Sequence, residues 1–233
     1  SIMGIGQDDY FEVEAWFLSH AHKDHMYELS KMLSEYSADS NYKINNIYFD
    51  FPEFGSDEYP ATNADMEISQ IRENINKYGQ VIGAKVPEGS TYYDQINGAV
   101  INAEAVSKGL SFEIDGVRID VLQTWDKADG TSNLNDTSLV FRVDYGNVSF
   151  LFTGDMESLA EHDLIELGVN LKADVLKVGH HGSYSSSSYR FLREVMPTYG
   201  VIQCGRNNDY GHPHKETLNL ISKLKLNTYR TDK

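Results

Sequence analysis

Four side chains able to hold a metal ion fall within six consecutive positions of this chain: His20, His22, Asp24 and His25, in Ser19-His20-Ala21-His22-Lys23-Asp24-His25. The stretch follows an apolar run at residues 13–18 that reads as a strand. It precedes Met26, Leu29, Leu33 and Tyr36, whose spacing of three and four predicts a helix. The cluster therefore sits on a strand-to-helix junction, which already commits the chain to mixed α and β structure. On an extended loop, alternate residues point the same way, so His20 and His22 can aim both imidazoles at one ion. Asp24 and His25, at the turn into the helix, can reach a second ion beside it. Imidazole and carboxylate donors together suit zinc, manganese or iron rather than calcium. A polar loop with chance histidines is the alternative, disfavoured because the 233 residues hold only eight histidines.

The rest of the chain repeats strands and helices around a central run of hairpins. Residues 44–49 read as a strand leading into the aromatic loop at residues 51–55. Residues 66–78 read as a helix with Ile68, Ile71 and Ile75 on one face and Gly79 as its stop. From residue 110 the period changes to two: residues 111–114 and 117–122 flank Asp115-Gly116, and residues 139–143 and 148–152 flank Tyr145-Gly146-Asn147. Helices at 157–167, 187–195 and 215–223 then alternate with strands at 174–178 and 199–204. No linker or internal repeat interrupts the pattern, so residues 1–233 read as a single α/β domain.

Composition narrows the partners. With 35 acidic against 20 basic residues the net charge is −15, and the longest basic cluster is Lys223-Leu224-Lys225. A protein that grips duplex nucleic acid through its phosphates needs a basic face, so tight duplex binding is disfavoured and small or locally held substrates are left open. The single cysteine, Cys204, excludes a disulfide framework and a thiolate zinc site, and reads as core of its strand. No apolar run reaches the roughly 18 residues that span a bilayer. The chain opens on Ser1-Ile2 with no signal pattern and reads as a piece of a longer product, with the compartment unassigned.

Four later segments share the character of the first. Asn135-Asp136-Thr137-Ser138 precedes a strand, Phe152-Thr153-Gly154-Asp155 ends one, Leu176-Lys177-Val178-Gly179-His180-His181-Gly182-Ser183 ends another, and Tyr210-Gly211-His212-Pro213 precedes the last helix. In this order after His-x-His-x-Asp-His, they resemble the metallo-β-lactamase superfamily. Within it they are most similar to the hydrolase domain of bacterial DNA-uptake (competence) channel proteins and its stand-alone relatives. The resemblance covers residue 13 to the C-terminus and implies an αββα sandwich, two mixed sheets with helices outside, shortened at both ends against the family pattern.

What the resemblance implies about the site is specific. His20, His22, Asp24, His25, Asp155 and His180 would hold two divalent ions, zinc or alternatively manganese, with Asp155 bridging them. Without a metal role, Asp155 would be the cap of the helix near Glu157. His181 is expected to contact substrate or a ligand, and His212 to hold a phosphate or protonate a leaving group; Asp24, His181 and His212 are the catalytic candidates. Ser183 is a further pocket candidate. The sequence departs from the classical pattern in having no histidine between His25 and His162. Asn135, Asp136 or water would fill that position, which argues against hydrolysis of β-lactams. The function implied is metal-assisted hydrolysis of a phosphodiester, either single-stranded DNA or a small ester such as a phosphocholine ester, by a water acidified between two ions. Carboxylic esters, lactones and thioesters are alternative substrates, and a metal-binding domain without catalysis, serving a larger protein, is the alternative class. The aromatic residues at 51–54 and Trp125 are candidates for a stacking or choline-type surface, with packing as the alternative reading.

Overall fold

A computed structural model describes residues 9–51, 63–83, 89, 106–124 and 133–233. Trp125 and the aromatic residues beyond Phe51 lie outside the described residues. The chain forms two compact units, Ser1–Val106 and Ser107–Lys233.

In the first unit, the strand expected at 13–18 is two short strands, β1 (Phe11–Val13) and β2 (Trp16–Phe17). The one expected at 44–49 is likewise β3 (Tyr42–Ile44) and β4 (Ile47–Tyr48). β1 pairs with β3 and β2 with β4, both parallel. The break falls where Asn46 turns its amide onto the Glu14 carbonyl at 2.9 Å, a side-chain bond competing with the ladder. Helix α1 (Lys23–Glu35) buries Met26, Leu29 and Leu33 along one stripe. Helix α2 (Asn63–Val81) runs past Gly79, because Ile71, Ile75 and Tyr78 are all fully buried and their packing outweighs the roughly 1 kcal/mol preference against a helical glycine. These stripes meet Leu18, Ile44, Ile47 and Phe49 in one apolar core. Asn74 ties the helices together by donating to the Ser30 carbonyl at 3.0 Å.

Tyr78 closes the edge of this core. Its hydroxyl donates to the Ile44 carbonyl at 2.5 Å and accepts from the Ile44 N–H at 2.7 Å. Burial also raises its pKa above the ordinary tyrosine range. Tyr78→Phe removes both partners of a buried peptide unit and is expected to cost about 1–3 kcal/mol, read as a lower midpoint in urea unfolding. An unchanged midpoint would mean that water replaces the hydroxyl at no cost.

The second unit is a mixed seven-stranded sheet. β5 (Ser111–Ile114), β6 (Val117–Gln123), β7 (Val140–Tyr145) and β8 (Val148–Phe152) pair antiparallel in sequence order. β9 (Val175–Lys177), β10 (Tyr199–Ile202) and β11 (Asn227–Arg230) extend it in parallel from β8. Each parallel step needs a crossover, supplied by helices α3 (Ser158–Glu166), α4 (Tyr189–Val195) and α5 (Lys215–Lys223). Leu151 and Leu176 of the strands pack with Leu164, Phe191, Leu192 and Val195 of the helices. The topology places the carboxyl ends of β8, β9 and β10 side by side, where open α/β sheets carry their ligand sites. No helix among the described residues is long and apolar enough to cross a membrane.

Candidate metal-binding clusters

The first cluster follows β2 directly. His20 is fully buried, and its Nε2 lies 2.9 Å from His22 Nδ1. The Ser19 hydroxyl sits between His20 Nδ1 at 3.1 Å and His25 Nδ1 at 2.9 Å. The His20 and His25 rings are 4.2 Å apart, and His25 Nε2 is 3.5 Å from an Asp24 oxygen. Asp24 lies in the first turn of α1, where a carboxylate complements the positive end of the helix dipole. His22 is the N-cap by position, yet its side chain makes no capping bond and stays with the other imidazoles. Three imidazoles this close repel one another if each is protonated, whereas as neutral rings they present lone pairs that a divalent cation satisfies.

The second cluster is built at the carboxyl ends of β8, β9 and β10. Asp155, 2% exposed, follows β8. It is not the cap of α3: that position belongs to Glu157. Its Oδ1 lies 3.5 Å from Lys177 Nζ, which also donates to the Gly154 carbonyl at 2.8 Å. Its Oδ2 faces the histidine pair, 3.2 Å from His181 Nε2 and 4.0 Å from His180 Nε2. His180 and His181 both adopt positive φ, 45° and 54°, in the short 3₁₀ turn after β9. Two non-glycine residues in the left-handed region cost of order 1–2 kcal/mol each, and the turn lets both rings face one carboxylate.

The imidazole hydrogen bonds show how these rings present themselves. His181 Nδ1 lies 2.7 Å from the Gln203 carbonyl oxygen, which only accepts, so Nδ1 carries a proton. The ring's Nε2 is turned toward the Asp155 carboxylate at 3.2 Å. Two imidazole Nε2 atoms within 4.0 Å of one buried carboxylate oxygen form a donor set that fits a divalent metal. Candidate donors in this unit are Asp155 and His181, with His180 beside them; Asp24 and His25 are candidate donors of the first unit.

The loop that lacks the classical histidine lies against this cluster through strand register. Phe141 of β7 pairs with Phe152 of β8, so the residues before β7 flank those after β8. The Asp155 N–H donates to Ser138 Oγ at 3.0 Å, and the Glu157 N–H to Asp136 Oδ1 at 2.8 Å. Asp136 is thereby engaged with backbone, and burial raises its pKa. Asn135 donates from Nδ2 to Glu157 at 3.1 Å, while its Oδ1 is buried without a hydrogen-bond partner.

His212 completes the second cluster, its ring 5.4 Å from His180 and 5.9 Å from His181. Asn208 holds its backbone from both sides, accepting from the N–H at 2.9 Å and donating to the carbonyl at 2.7 Å. Burial, reinforced by the neighbouring His180, His214 and His181, pushes the His212 pKa down to about 4. At pH 7 it is therefore a neutral ring that makes directional hydrogen bonds. Ser183 is buried and spends its hydroxyl on Ser185, so it holds the loop together. Glu161, nearly buried, accepts from the N–H groups of Ser187 and, at 2.9 Å, Ser188, and anchors the segment after the histidine pair. Ser188 caps α4 by accepting from the Phe191 N–H at 3.2 Å.

Sequence reasoning did not single out Glu157, Glu161 or Lys177. A Glu two residues after Asp155 in Gly154-Asp155-Met156-Glu157 reads as an ordinary acidic helix start. Only the strand neighbours reveal its work.

Residues 9–206 match the metallo-beta-lactamase superfamily. Among curated proteins, the chain is 32% identical over 179 residues to "ComE operon protein 3" of Bacillus subtilis (strain 168), covering 73% of this chain and 23% of that protein. It is 35% identical over 159 residues to "Competence protein ComA" of Neisseria gonorrhoeae, covering 66% and 22% respectively. The chain thus spans less than a quarter of either relative. Among solved structures, CmlA, a diiron beta-hydroxylase from Streptomyces venezuelae, superposes with a TM-score of 0.52 at 10% identity, over 95% of this chain and 44% of that one, a likeness of fold. With its His-x-His-x-Asp-His junction, the aspartate after β8 and the paired histidines after β9, the chain belongs to the metallo-β-lactamase superfamily, with competence proteins among its relatives.

Proposed function

We propose that the donors of the two clusters, His20, His22, Asp24, His25, Asp155 and His180 or His181, serve one hydrolytic centre for two divalent ions, zinc or manganese, and that residues 1–233 act as one phosphodiesterase domain. The observation that carries this is Asp155 Oδ2, facing two imidazole Nε2 atoms from a buried carboxylate. Support for joining the clusters comes from the family and its order of motifs. Bound divalent ions would acidify a water and neutralise charge on the scissile group.

The chain's own residues supply the rest. Asp155 divides its work, one oxygen balanced by Lys177 and the other turned to the imidazoles. His212, neutral at pH 7, would hydrogen-bond a substrate oxygen without adding positive charge beside the metal donors. A phosphodiester is the substrate class favoured by relatives named for competence and by a cluster of donors suited to clamp anionic oxygens. Single-stranded DNA and small phosphodiesters both meet this description; the net charge of −15 disfavours tight duplex binding.

The test is metal analysis of the purified protein with hydrolysis of bis-p-nitrophenyl phosphate under added zinc or manganese. About two ions per chain and turnover are expected, with turnover lost in Asp24→Ala at an unchanged thermal midpoint of the metal-free protein. Asp24 is exposed, so its loss removes little packing. Metal without phosphodiester turnover would overturn the substrate class and favour ester or lactone chemistry. Absence of metal would overturn the centre itself.

A further inference from the structure

Glu157 gathers four side chains onto one carboxylate. Its Oε1 lies 3.2 Å from His180 Nδ1, accepts from Asn135 Nδ2 at 3.1 Å and from Ser185 Oγ at 3.0 Å, and its Oε2 accepts from Asn133 Nδ2 at 3.0 Å. Three separate stretches of chain meet there: the loop before β7, the turn after β9 and the serine segment leading to α4. The contacts are chemically selective. His180 Nδ1 hydrogen-bonds Ser185 Oγ at 3.3 Å, and that hydroxyl spends its own proton on Glu157, so both polar neighbours of Nδ1 accept, Nδ1 carries the ring proton and Nε2 is left as the lone-pair donor. The same logic applies to Asn135: its NH₂ is spent on Glu157, and Oδ1 stays buried with no hydrogen-bond partner.

We propose that Glu157 is a positioning residue for the metal centre: it fixes His180 in the tautomer that offers Nε2 on the Asp155 side, and holds Asn135 with Oδ1 free as the oxygen donor where the classical histidine is missing. The inference rests on the hydrolytic centre proposed above. His181 has its own orienting partner in the Gln203 carbonyl, so the two neighbouring rings are held independently, one by a charged side chain and one by backbone. Such outer partners typically change metal affinity by about 10–100-fold when removed. Asn133 and Ser185 secure the carboxylate in turn, which explains why Glu157, the N-cap of α3, makes no capping bond with its side chain.

Two measurements test this. In ¹⁵N-histidine-labelled, metal-free wild-type protein, long-range ¹H–¹⁵N correlation should show His180 and His181 both protonated at Nδ1. In Glu157→Gln, where the acceptor is neutral and one face of the amide opposes Asn133, His180 should become a mixture of tautomers while His181 is unchanged. A merely structural role would leave the His180 tautomer as it is or disturb both rings. Zinc affinity, measured by competition with a chromophoric chelator, should fall about 10–100-fold in Glu157→Gln and likewise in Asn135→Ala. His180 protonated at Nε2 in wild type, or zinc affinity unchanged in Glu157→Gln, would overturn the proposal. The wild-type tautomers decide it even where the variant does not fold. Wild-type protein that binds no zinc but shows the expected tautomers would sink the hydrolytic centre and leave the orienting contact standing.

Discussion

Asp155→Asn is expected to lower phosphodiester turnover by about three orders of magnitude. The substitution keeps the volume of a residue that is 2% exposed, and it keeps the backbone bond from the Asp155 N–H to Ser138 Oγ, so β8 and the entry to α3 stay in place. What disappears is the negative charge that Oδ2 presents to His180 and His181 and that Oδ1 presents to Lys177. Metal-based stabilisation of a developing charge is worth several kcal/mol, and each 1.4 kcal/mol is a tenfold change in rate, which sets the scale of about a thousandfold. The check is turnover with metal content measured on the same sample. Lost turnover with lost metal assigns Asp155 to the centre, and wild-type turnover would remove it from the chemistry. Asp155→Ala is the harsher variant, because it also leaves a cavity beside the largely buried Lys177 ammonium.

Gly182→Ala is expected to destabilise the protein by about 2–5 kcal/mol and to displace His212. Gly182 has φ +83°, in the left-handed region that costs other residues about 1–2 kcal/mol. A Cβ built there would lie 2.6 Å from Pro213 Cβ and 3.3 Å from Pro213 Cα, closer than atoms pack, which adds overpacking of about 1–3 kcal/mol. The close approach has a purpose. The His214 N–H donates to the Gly182 carbonyl at 3.0 Å, drawing the His212-Pro213 segment against the turn that carries the histidine pair. A side chain at 182 pushes that segment away and takes the His212 ring from its place beside His180 and His181. Thermal unfolding reads the stability loss, and the His212 ring resonances read the displacement. A variant with wild-type stability would show that the two segments do not meet as described.

Particular elements show why some of this was legible in the chain and some was not. Helix α1 announces itself through Met26, Leu29 and Leu33, because helical burial is periodic and periodicity is a property of sequence. The hairpin at Asp115-Gly116 is equally local: both residues take positive φ, 49° and 75°, as such a turn requires. The breaks at Glu14 and Asn46 were not legible, since a run of strand-forming residues carries no mark of the side-chain bond that interrupts its ladder. Helix α2 outran its glycine for a related reason: tertiary burial of Ile75 and Tyr78 overrides a local preference of about 1 kcal/mol.

The site divides along the same line. The residue types and their order, from His20 to His181, determined the superfamily, because imidazole and carboxylate donors at strand ends are a matter of composition and spacing. Which acceptor His181 Nδ1 meets, which oxygen of Asp155 faces Lys177 and which the histidines, and which side chains gather on Glu157 were decided only by the tertiary structure. Those properties depend on partners 20 or more residues away, His181 on Gln203 and Asn135 on Glu157, brought into hydrogen-bonding distance by the register of β7 on β8 and the parallel order of β8, β9 and β10. A hydrogen bond is directional and short-ranged, so its existence is written in the packing of the sheet.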